Sequence, residues 1–338
     1  MHEEGRIRHF IRLEELDGRT VEDVLDLSAR MKRGSSRAEL AGRTVGLLFF
    51  RGSLRTRTSL EVAMSQLGGH TVELNARSDF WELEARRGTV MDGAAPEHIQ
   101  DAAAVLSSYV SALAIRPAPA GQSWEVDRRD ETIRAWAACS RVPVINMESA
   151  LWHPLQALAD LLTLRETLGE LAGRRVAITW TPSPSPSSPA VIHSILMAAL
   201  RSGMHVGVAH PPGYELDSGV LDEARRLAAE RGVELAAGLE PRDAVGGAHV
   251  VYARSWSSLE AYGNPTLAAS RVARSGGWMV DEELMAAGDE AYLMHPMPVR
   301  RNLEVSDEVL DGPRSLIYRQ AENRLHTQKG LLSLLLRS

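Results

Sequence analysis

The sequence is short of several things, and each shortage closes off a class of protein. It holds a single cysteine, Cys139, in 338 residues. An intramolecular disulfide and a cysteine-based metal cluster are both excluded, and a reducing compartment is expected. Long apolar runs are missing: none approaches the roughly 18 residues that a membrane span needs. The N-terminal "MHEEGRIRHF" lacks the apolar centre of a signal peptide. A cytoplasmic location with no membrane partner is therefore expected. Basic residues are outnumbered, 38 Lys+Arg against 44 Asp+Glu, for a formal charge of -6. A general nucleic-acid surface needs a basic excess, so no nucleic-acid partner is expected. Neither G-x-G-x-x-G nor G-x-x-x-x-G-K-[ST] occurs, which leaves nucleotide-cofactor readings without a motif.

What is present is an ordinary globular composition, 44% hydrophobic and 24% charged, in a chain long enough for two domains. Short β-rich runs alternate with amphipathic helices, which predicts α/β architecture with parallel sheets covered on both faces. "TVGLLFF" reads as a buried strand, and Leu60, Ala63, Met64 and Leu67 share one helix face before Gly68-Gly69 ends it. "HTVELN", "SALAIR" and "VPVIN" are further strands, and "PEHIQDAAAVLSSYV" is a helix with Pro96 at its start. In the second half "RRVAITW", "HVGVAHP", "VELAAG", "AHVVYARSW" and "AYLMHPMP" are strand candidates. "HPLQALADLLTLRETLG" is a helix with Leu155, Leu158, Ala159 and Leu162 on one stripe, expected to bridge the halves. The Pro-Ser run Thr181–Pro189 must be a loop after a strand, and such loops are where open α/β sheets bind ligands.

One stretch carries an electrostatic conflict. Arg51, Arg55 and Arg57 cluster where a strand gives way to a helix, beside Ser53, Leu54 and Thr56. The first helical turn has unpaired N–H groups and the positive end of the macrodipole, so cations are misplaced there unless an anion joins them. A phosphate resolves the conflict; a solvated turn with surface arginines is the other reading. Arg116 ends a strand before a proline, His153 and Gln156 share a helix face, and His295 stands between a strand and two prolines. Each alone is a commonplace structural residue; together they mark strand ends and helix starts where a cleft would lie. Glu148 precedes His153 and could receive a cationic amine. No H-x-x-x-H or close carboxylate–histidine pair occurs at ligand spacing, so no metal is expected. Ser53 lacks the G-x-S-x-G context of a serine nucleophile.

"SLRTRTS", "MDG…PEHI", "INME…HPLQALADL", "MHPMPVRRN" and "AENRLHTQKGLL" resemble the aspartate/ornithine carbamoyltransferase family, and within it the N-acetyl- and N-succinylornithine branch. The resemblance runs from about residue 40 to the C-terminus. The resemblance implies two doubly wound parallel-sheet domains linked by long helices. A carbamoyl-phosphate domain would take residues 1–150, with a C-terminal helix near 321–338 returning to it, and an amine-acceptor domain residues 151–320. It implies a homotrimer with shared active sites, carbamoyl phosphate and an amine as substrates, and no cofactor. Residue by residue, the phosphate grip falls on Ser53, Leu54, Arg55 and Thr56, with Arg57 beside it. Arg116, His153 and Gln156 match the groups that hold the carbamoyl end, and Arg324 matches an active-site arginine. Trp81 matches a residue lent to a neighbouring subunit's site. Pro296 and Met297 match a loop whose carbonyls contact the carbamoyl amide and the amine. On the acceptor side, Pro96 and Glu148 look like the succinylornithine type.

Other positions depart from that branch: Ser183 stands for a His, Arg254 for a Lys, Pro296 for a Cys of ornithine-type enzymes and Glu304 for a modified Lys. The branch resemblance implies an N-acyl-ornithine-like acceptor, succinyl- or acetylornithine. These departures suggest instead an acceptor other than a standard acyl-ornithine, a specialised amine such as a diaminopropionyl group in a peptide natural product. The alternative is a non-catalytic relative that binds carbamoyl phosphate in a regulatory or structural role.

Overall fold

The computed structural model describes residues 9–34, 38–76 and 78–336. Most of the N-terminal stretch read above and the last two residues of the span 321–338, expected to be helical, lie outside them. The chain divides into two compact units. The first takes the residues up to Pro119, Val126–Leu158 and those from Arg324 onward; the second takes Ala120–Glu125 and Ala159–Asn323.

The first unit is built on four parallel strands in the order β2-β1-β5-β6: β1 (Thr44–Phe49), β2 (His70–Asn75), β5 (Ala112–Arg116) and β6 (Val144–Asn146). A separate two-residue pair joins β3 (Leu83–Glu84) to β4 (Glu97–His98). Val45–Phe49 is buried throughout, as a central parallel strand covered on both faces must be. The helices are α1 (Gly18–Lys32), α2 (Arg55–Gln66), α3 (Ile99–Tyr109) and α5 (Glu131–Cys139), joined by the end of the short α4 (Trp124–Asp127), the start of α6 (Pro154–Leu168) and most of α13 (Ile317–Leu336). Leu60, Ala63, Met64 and Leu67 of α2 are buried as their spacing requires. Gly68 ends the helix at φ 76°, where a Cβ would stand 2.8 Å from that of Ala38.

Two expectations shift. Helix α3 begins at Ile99 rather than at Pro96, because the His98 side chain accepts from the Gln100 N–H and caps it there. Glu97 and His98 are meanwhile committed to pairing with β3. Helix α6 is buried all round from Leu155 to Leu164, where a single apolar stripe was expected. Its polar members find partners within the helix and beyond it: Thr163 Oγ1 donates to the Ala159 carbonyl at 2.7 Å, and Asp160 Oδ2 accepts from the Tyr252 hydroxyl at 2.8 Å.

The second unit has five parallel strands in the order β11-β10-β7-β8-β9: β7 (Arg175–Trp180), β8 (His205–Ala209), β9 (Leu235–Leu239), β10 (Val250–Arg254) and β11 (Tyr292–Met294). Helices α7 (Ala190–Arg201), α8 (Ser218–Arg231), α9 (Pro241–Val245), α10 (Pro265–Arg274), α11 (Glu282–Met285) and α12 (Asp307–Leu310) connect them. In each sheet the strand order reverses once, between β1 and β5 in the first unit and between β7 and β10 in the second. Those reversal points, at the C-terminal strand ends, are where open α/β sheets form ligand crevices. No helix among the described residues is long and apolar enough to cross a membrane.

Candidate active site

In the first unit the reversal point is flanked by the turn after β1, which leads into α2, and by Arg116 at the end of β5. No side chain caps the start of α2; its N-cap is Leu54, with Ser53 before it and Arg55 as the first helical residue. The first-turn amides and the helix dipole therefore face outward with Arg55 beside them, the arrangement that takes a phosphate.

Behind this turn, Arg324 at the start of the last segment of α13 organises three neighbours. Its Nη2 donates to Thr56 Oγ1 at 2.6 Å, and its Nη1 donates to Gln156 Oε1 at 2.6 Å and to His153 Nε2 at 3.2 Å. All four residues are at least nine-tenths buried. A guanidinium has no lone pair to offer, so each partner must accept from it. Each partner is thereby left with a proton to give. The Thr56 hydroxyl hydrogen and the Gln156 amide hydrogens are not used by Arg324, and a neutral His153 must carry its proton on Nδ1. His153 is neutral because burial pushes its pKa well below the ordinary value, helped by the Arg324, Arg116 and Arg51 guanidiniums and opposed by Glu148.

Arg116 is half of a buried ion pair. Its Nη2 is 2.6 Å from Glu148 Oε2, and its Nη1 donates to the Met147 carbonyl at 3.3 Å. Burial lowers the Arg116 pKa, Glu148 restores much of it, and Arg51 lowers it again. Arg51 completes the group, with Nη2 3.4 Å from Glu148 Oε1 and its guanidinium donating to the Glu148 and Pro117 carbonyls. Glu148 has φ 141°, a region closed to most side chains. Such a residue costs about 1–3 kcal/mol and persists only where its surroundings over-determine it. Arg51, Arg55, Arg116 and Arg324 together carry four positive charges against the one carboxylate of Glu148, a surplus suited to a dianion.

The structure thus brings together Ser53, Leu54, Arg55, Thr56, Arg116, His153, Gln156 and Arg324 in one unit, with Glu148. It does not bring Arg57. That guanidinium lies over the Phe49 ring and pairs with Glu73 of β2 at 2.6 Å. The third arginine of the cluster is tied to the neighbouring strand, which offers a carboxylate nearer than the helix start. Glu148, expected on the acceptor side, is occupied by the arginines of the first unit. Trp81 is 69% exposed and Pro96 is exposed as well; neither touches the group around Arg324. Arg51, read only as one of the three clustered arginines, is the member that the residue-by-residue assignment left out.

In the second unit the reversal point lies between the Thr181–Pro189 loop after β7 and Arg254, the last residue of β10. Arg254 is buried, and its hydrogen bonds go to neutral oxygens: the Pro296 carbonyl at 2.7 Å, the Pro298 carbonyl at 3.2 Å and Ser187 Oγ at 2.6 Å. Ser183 Oγ accepts from Arg300 Nε at 3.1 Å. Met297, half-buried, sits between the two prolines whose carbonyls hold Arg254, and its peptide bond to Pro298 is cis. Glu304 is buried, with Oε2 3.1 Å from His295 Nε2 and 2.9 Å from the Arg300 amide. Burial pushes the Glu304 pKa up, but the His295 contact and the Arg300 amide outweigh it and hold the group ionised. Ser183, Arg254, Pro296 and Met297 therefore share one loop cluster, joined by Ser187 and Arg300, which the sequence reading did not single out. Neither carries a motif that would have marked it.

No group of three or more potential metal-ligating side chains stands together among the described residues.

Residues 8–166 match the carbamoyl-phosphate-binding domain, and residues 187–335 the aspartate/ornithine-binding domain, of aspartate/ornithine carbamoyltransferase. The chain is 39% identical over 332 residues to N-acetylornithine carbamoyltransferase of Xanthomonas campestris pv. campestris, covering 97% of this chain and 98% of the relative. Among solved structures it is similar to an acetylornithine transcarbamylase complexed with acetylcitrulline, at TM-score 0.94 and 38% identity, over 98% of this chain and 100% of that one. It is also similar to a glutamate-to-proline mutant of N-acetyl-L-ornithine transcarbamylase complexed with carbamyl phosphate and N-succinyl-L-norvaline, at TM-score 0.93 and 39% identity, over 97% and 100%.

Proposed function

We propose, for a chain that belongs to the aspartate/ornithine carbamoyltransferase family and is itself a carbamoyltransferase, that carbamoyl phosphate is its donor and the side-chain amine of an N-acylornithine its acceptor. One observation carries the reading: the Arg324 fork occupies the acceptor atoms of Thr56, His153 and Gln156 and so orients them as hydrogen-bond donors beside the uncapped, arginine-flanked start of α2.

The phosphate of the donor takes the α2 amides, Ser53 and Arg55. The carbamoyl oxygen lies toward Thr56, Arg116 and His153, which stabilise the negative charge it gains in the tetrahedral intermediate. The neutral amine attacks the carbamoyl carbon, a C–N bond forms and the bond from that carbon to the phosphate oxygen breaks. The departing phosphate takes the proton that the amine loses, so no separate base is needed. Holding both substrates in line supplies much of the remaining acceleration. Arg254, buried against neutral oxygens, is the group to meet the acceptor's carboxylate, with Ser183 and Met297 beside it. Glu148 serves the first unit by holding Arg116 and can still receive the approaching amine. Trp81, exposed, is read as lent to the site of a neighbouring copy in a homotrimer, and Pro96, also exposed, as an acceptor-side position.

Pro96 favours a second, finer reading. Relatives in which one glutamate is replaced by proline, serine, alanine or valine were all solved with the same succinyl analogue, and by the resemblance Pro96 stands in place of that glutamate. N-succinylornithine is then the better acceptor of the two.

The test supplies carbamoyl phosphate with N-succinylornithine, N-acetylornithine, ornithine, aspartate and diaminopropionyl peptides, and measures phosphate release and ureido product. Product from the acyl-ornithines above the others supports the reading. Product from ornithine or a diaminopropionyl peptide alone overturns the acceptor. Binding of carbamoyl phosphate with no product from any amine restores the non-catalytic alternative.

A further inference from the structure

Behind Glu148 lies a carboxylate that the reaction does not touch. Asp130, which precedes α5, is 6% exposed and has φ 52°. Its side chain does not cap α5. It turns instead to the loop after β6: Oδ2 accepts from Ser149 Oγ at 2.5 Å, and Oδ1 from the Ala150 amide at 3.0 Å, with the Leu151 amide adding to the same carboxylate. Ser149 Oγ in turn accepts from Asn146 Nδ2 at 3.0 Å and from the Trp152 amide at 3.2 Å. Asn146 Oδ1 accepts from the Glu148 amide at 3.0 Å.

Glu148 is thus gripped on both sides through buried hydrogen bonds that end at Asp130. Four described non-glycine residues have positive φ, and two of them, Asp130 and Glu148, are joined through the Ser149 side chain and its backbone. Strained residues persist where neighbouring structure fixes them, and they concentrate at functional sites. The same loop delivers His153, whose Nε2 is 3.9 Å from Glu148 Oε2.

We propose that Asp130 is a positioning residue for carbamoyl transfer: through Ser149 it holds the 147–153 loop so that Glu148 stays on Arg116 and His153 on Arg324. This inference rests on the reading of the site given above. The phosphate grip at the start of α2 lies on other segments and is independent of Asp130. Loss of Asp130 therefore affects turnover more than donor affinity, because the phosphate grip is untouched and only the groups at the carbamoyl end shift.

The experiment compares the full-length chain with Asp130→Asn, Ser149→Ala and the double variant. Carbamoyl phosphate binding is measured by calorimetry, turnover with the best acyl-ornithine is measured as kcat and KM, and the crystal structure of each single variant is determined. Expected for Asp130→Asn is one donor bound per chain, a donor Kd within about threefold of the parent, and a kcat lower by ~10–10²-fold, the scale of an ångström-sized misplacement. The Glu148–Arg116 contact should lengthen in its crystal structure. Ser149→Ala should reproduce the fall, and the double variant should be no slower than the worse single variant, since both act through one contact. A Glu148–Arg116 contact unchanged in both variants overturns the inference, and so does an unchanged kcat, a donor stoichiometry that falls in step with kcat, or single losses that multiply. Should Asp130→Asn fail to fold, Ser149→Ala gives the same readouts. No ureido product from the parent chain would overturn the functional reading alone, because the crystallographic contact decides the role of Asp130 without turnover.

Discussion

The two units solve the same topological problem with opposite electrostatics. At the strand reversal of the first, Arg116 and Arg51 are compensated by Glu148, and Arg324 is engaged by three side chains that can each give a proton. At the reversal of the second, Arg254 is buried against two carbonyls and a hydroxyl. A compensated cluster keeps its geometry without help and suits a step in which charge develops and must be met at fixed positions. A buried guanidinium whose hydrogen bonds go only to neutral oxygens, with the Glu304 carboxylate acting on it from farther off, still gains when an anion contacts it directly. The first unit is therefore organised for chemistry, the second for recognition of a carboxylate.

The strongest way to break that contrast is to remove the compensated cation. Arg116→Ala deletes an oxyanion donor and the shorter of the two arginine contacts of Glu148, and kcat should fall ~10²–10³-fold; initial-rate kinetics would check it, and a loss confined to acceptor KM would count against the assignment. Arg55→Ala should weaken carbamoyl phosphate binding by ~10–10²-fold, the range for one charge-assisted contact. Calorimetry measures this, and an unaltered Kd would place the phosphate elsewhere. Arg254→Lys keeps the charge but loses the planar fork that spans Pro296, Pro298 and Ser187. Acceptor KM should rise by about tenfold with donor Kd unchanged.

A subtler effect concerns the support behind the first site. Burial raises the Asp130 pKa to about 6 from an ordinary 3.8, against the bonds from Ser149 and the loop amides. The folded state therefore holds this proton more tightly than the unfolded chain. The favourable contribution is complete below the unfolded value and is lost as pH rises through about 6, by up to about 3 kcal/mol. Denaturant titrations of the parent against Asp130→Asn between pH 4 and 7 should show that slope flattened in the variant. The smallest effect is expected from Arg57→Ala. An exposed pair with Glu73 contributes about 0–1 kcal/mol, and donor Kd should not change; a large loss of affinity would return Arg57 to the phosphate grip.

The strands and the apolar face of α2 were legible because burial imposes periods of two and of 3.6 residues on adjacent positions. The phosphate-like helix start was legible for a local reason too, since cations and hydroxyls sit within one turn of it. Long-range partners leave no such trace. Arg57 looks like Arg55 until β2 brings Glu73 beside it, and Glu148 gives no sign in its own neighbourhood that Arg116 and Arg51 will converge on it. Asp130 reads as an ordinary helix N-cap, yet its φ of 52° turns the carboxylate away from its own helix. The start of α3 was misplaced because a histidine, not the proline, caps it.

The position of Arg324 also sets an order of events during synthesis. Its partner Thr56 lies 268 residues earlier in the chain. At about 5–20 residues per second, a ribosome needs roughly 13–54 s to travel between them. Until Arg324 has been made, Thr56, His153 and Gln156 lack the guanidinium that all three share. The reactive arrangement is therefore completed only at the very end of synthesis, when the last helix joins segments made long before it.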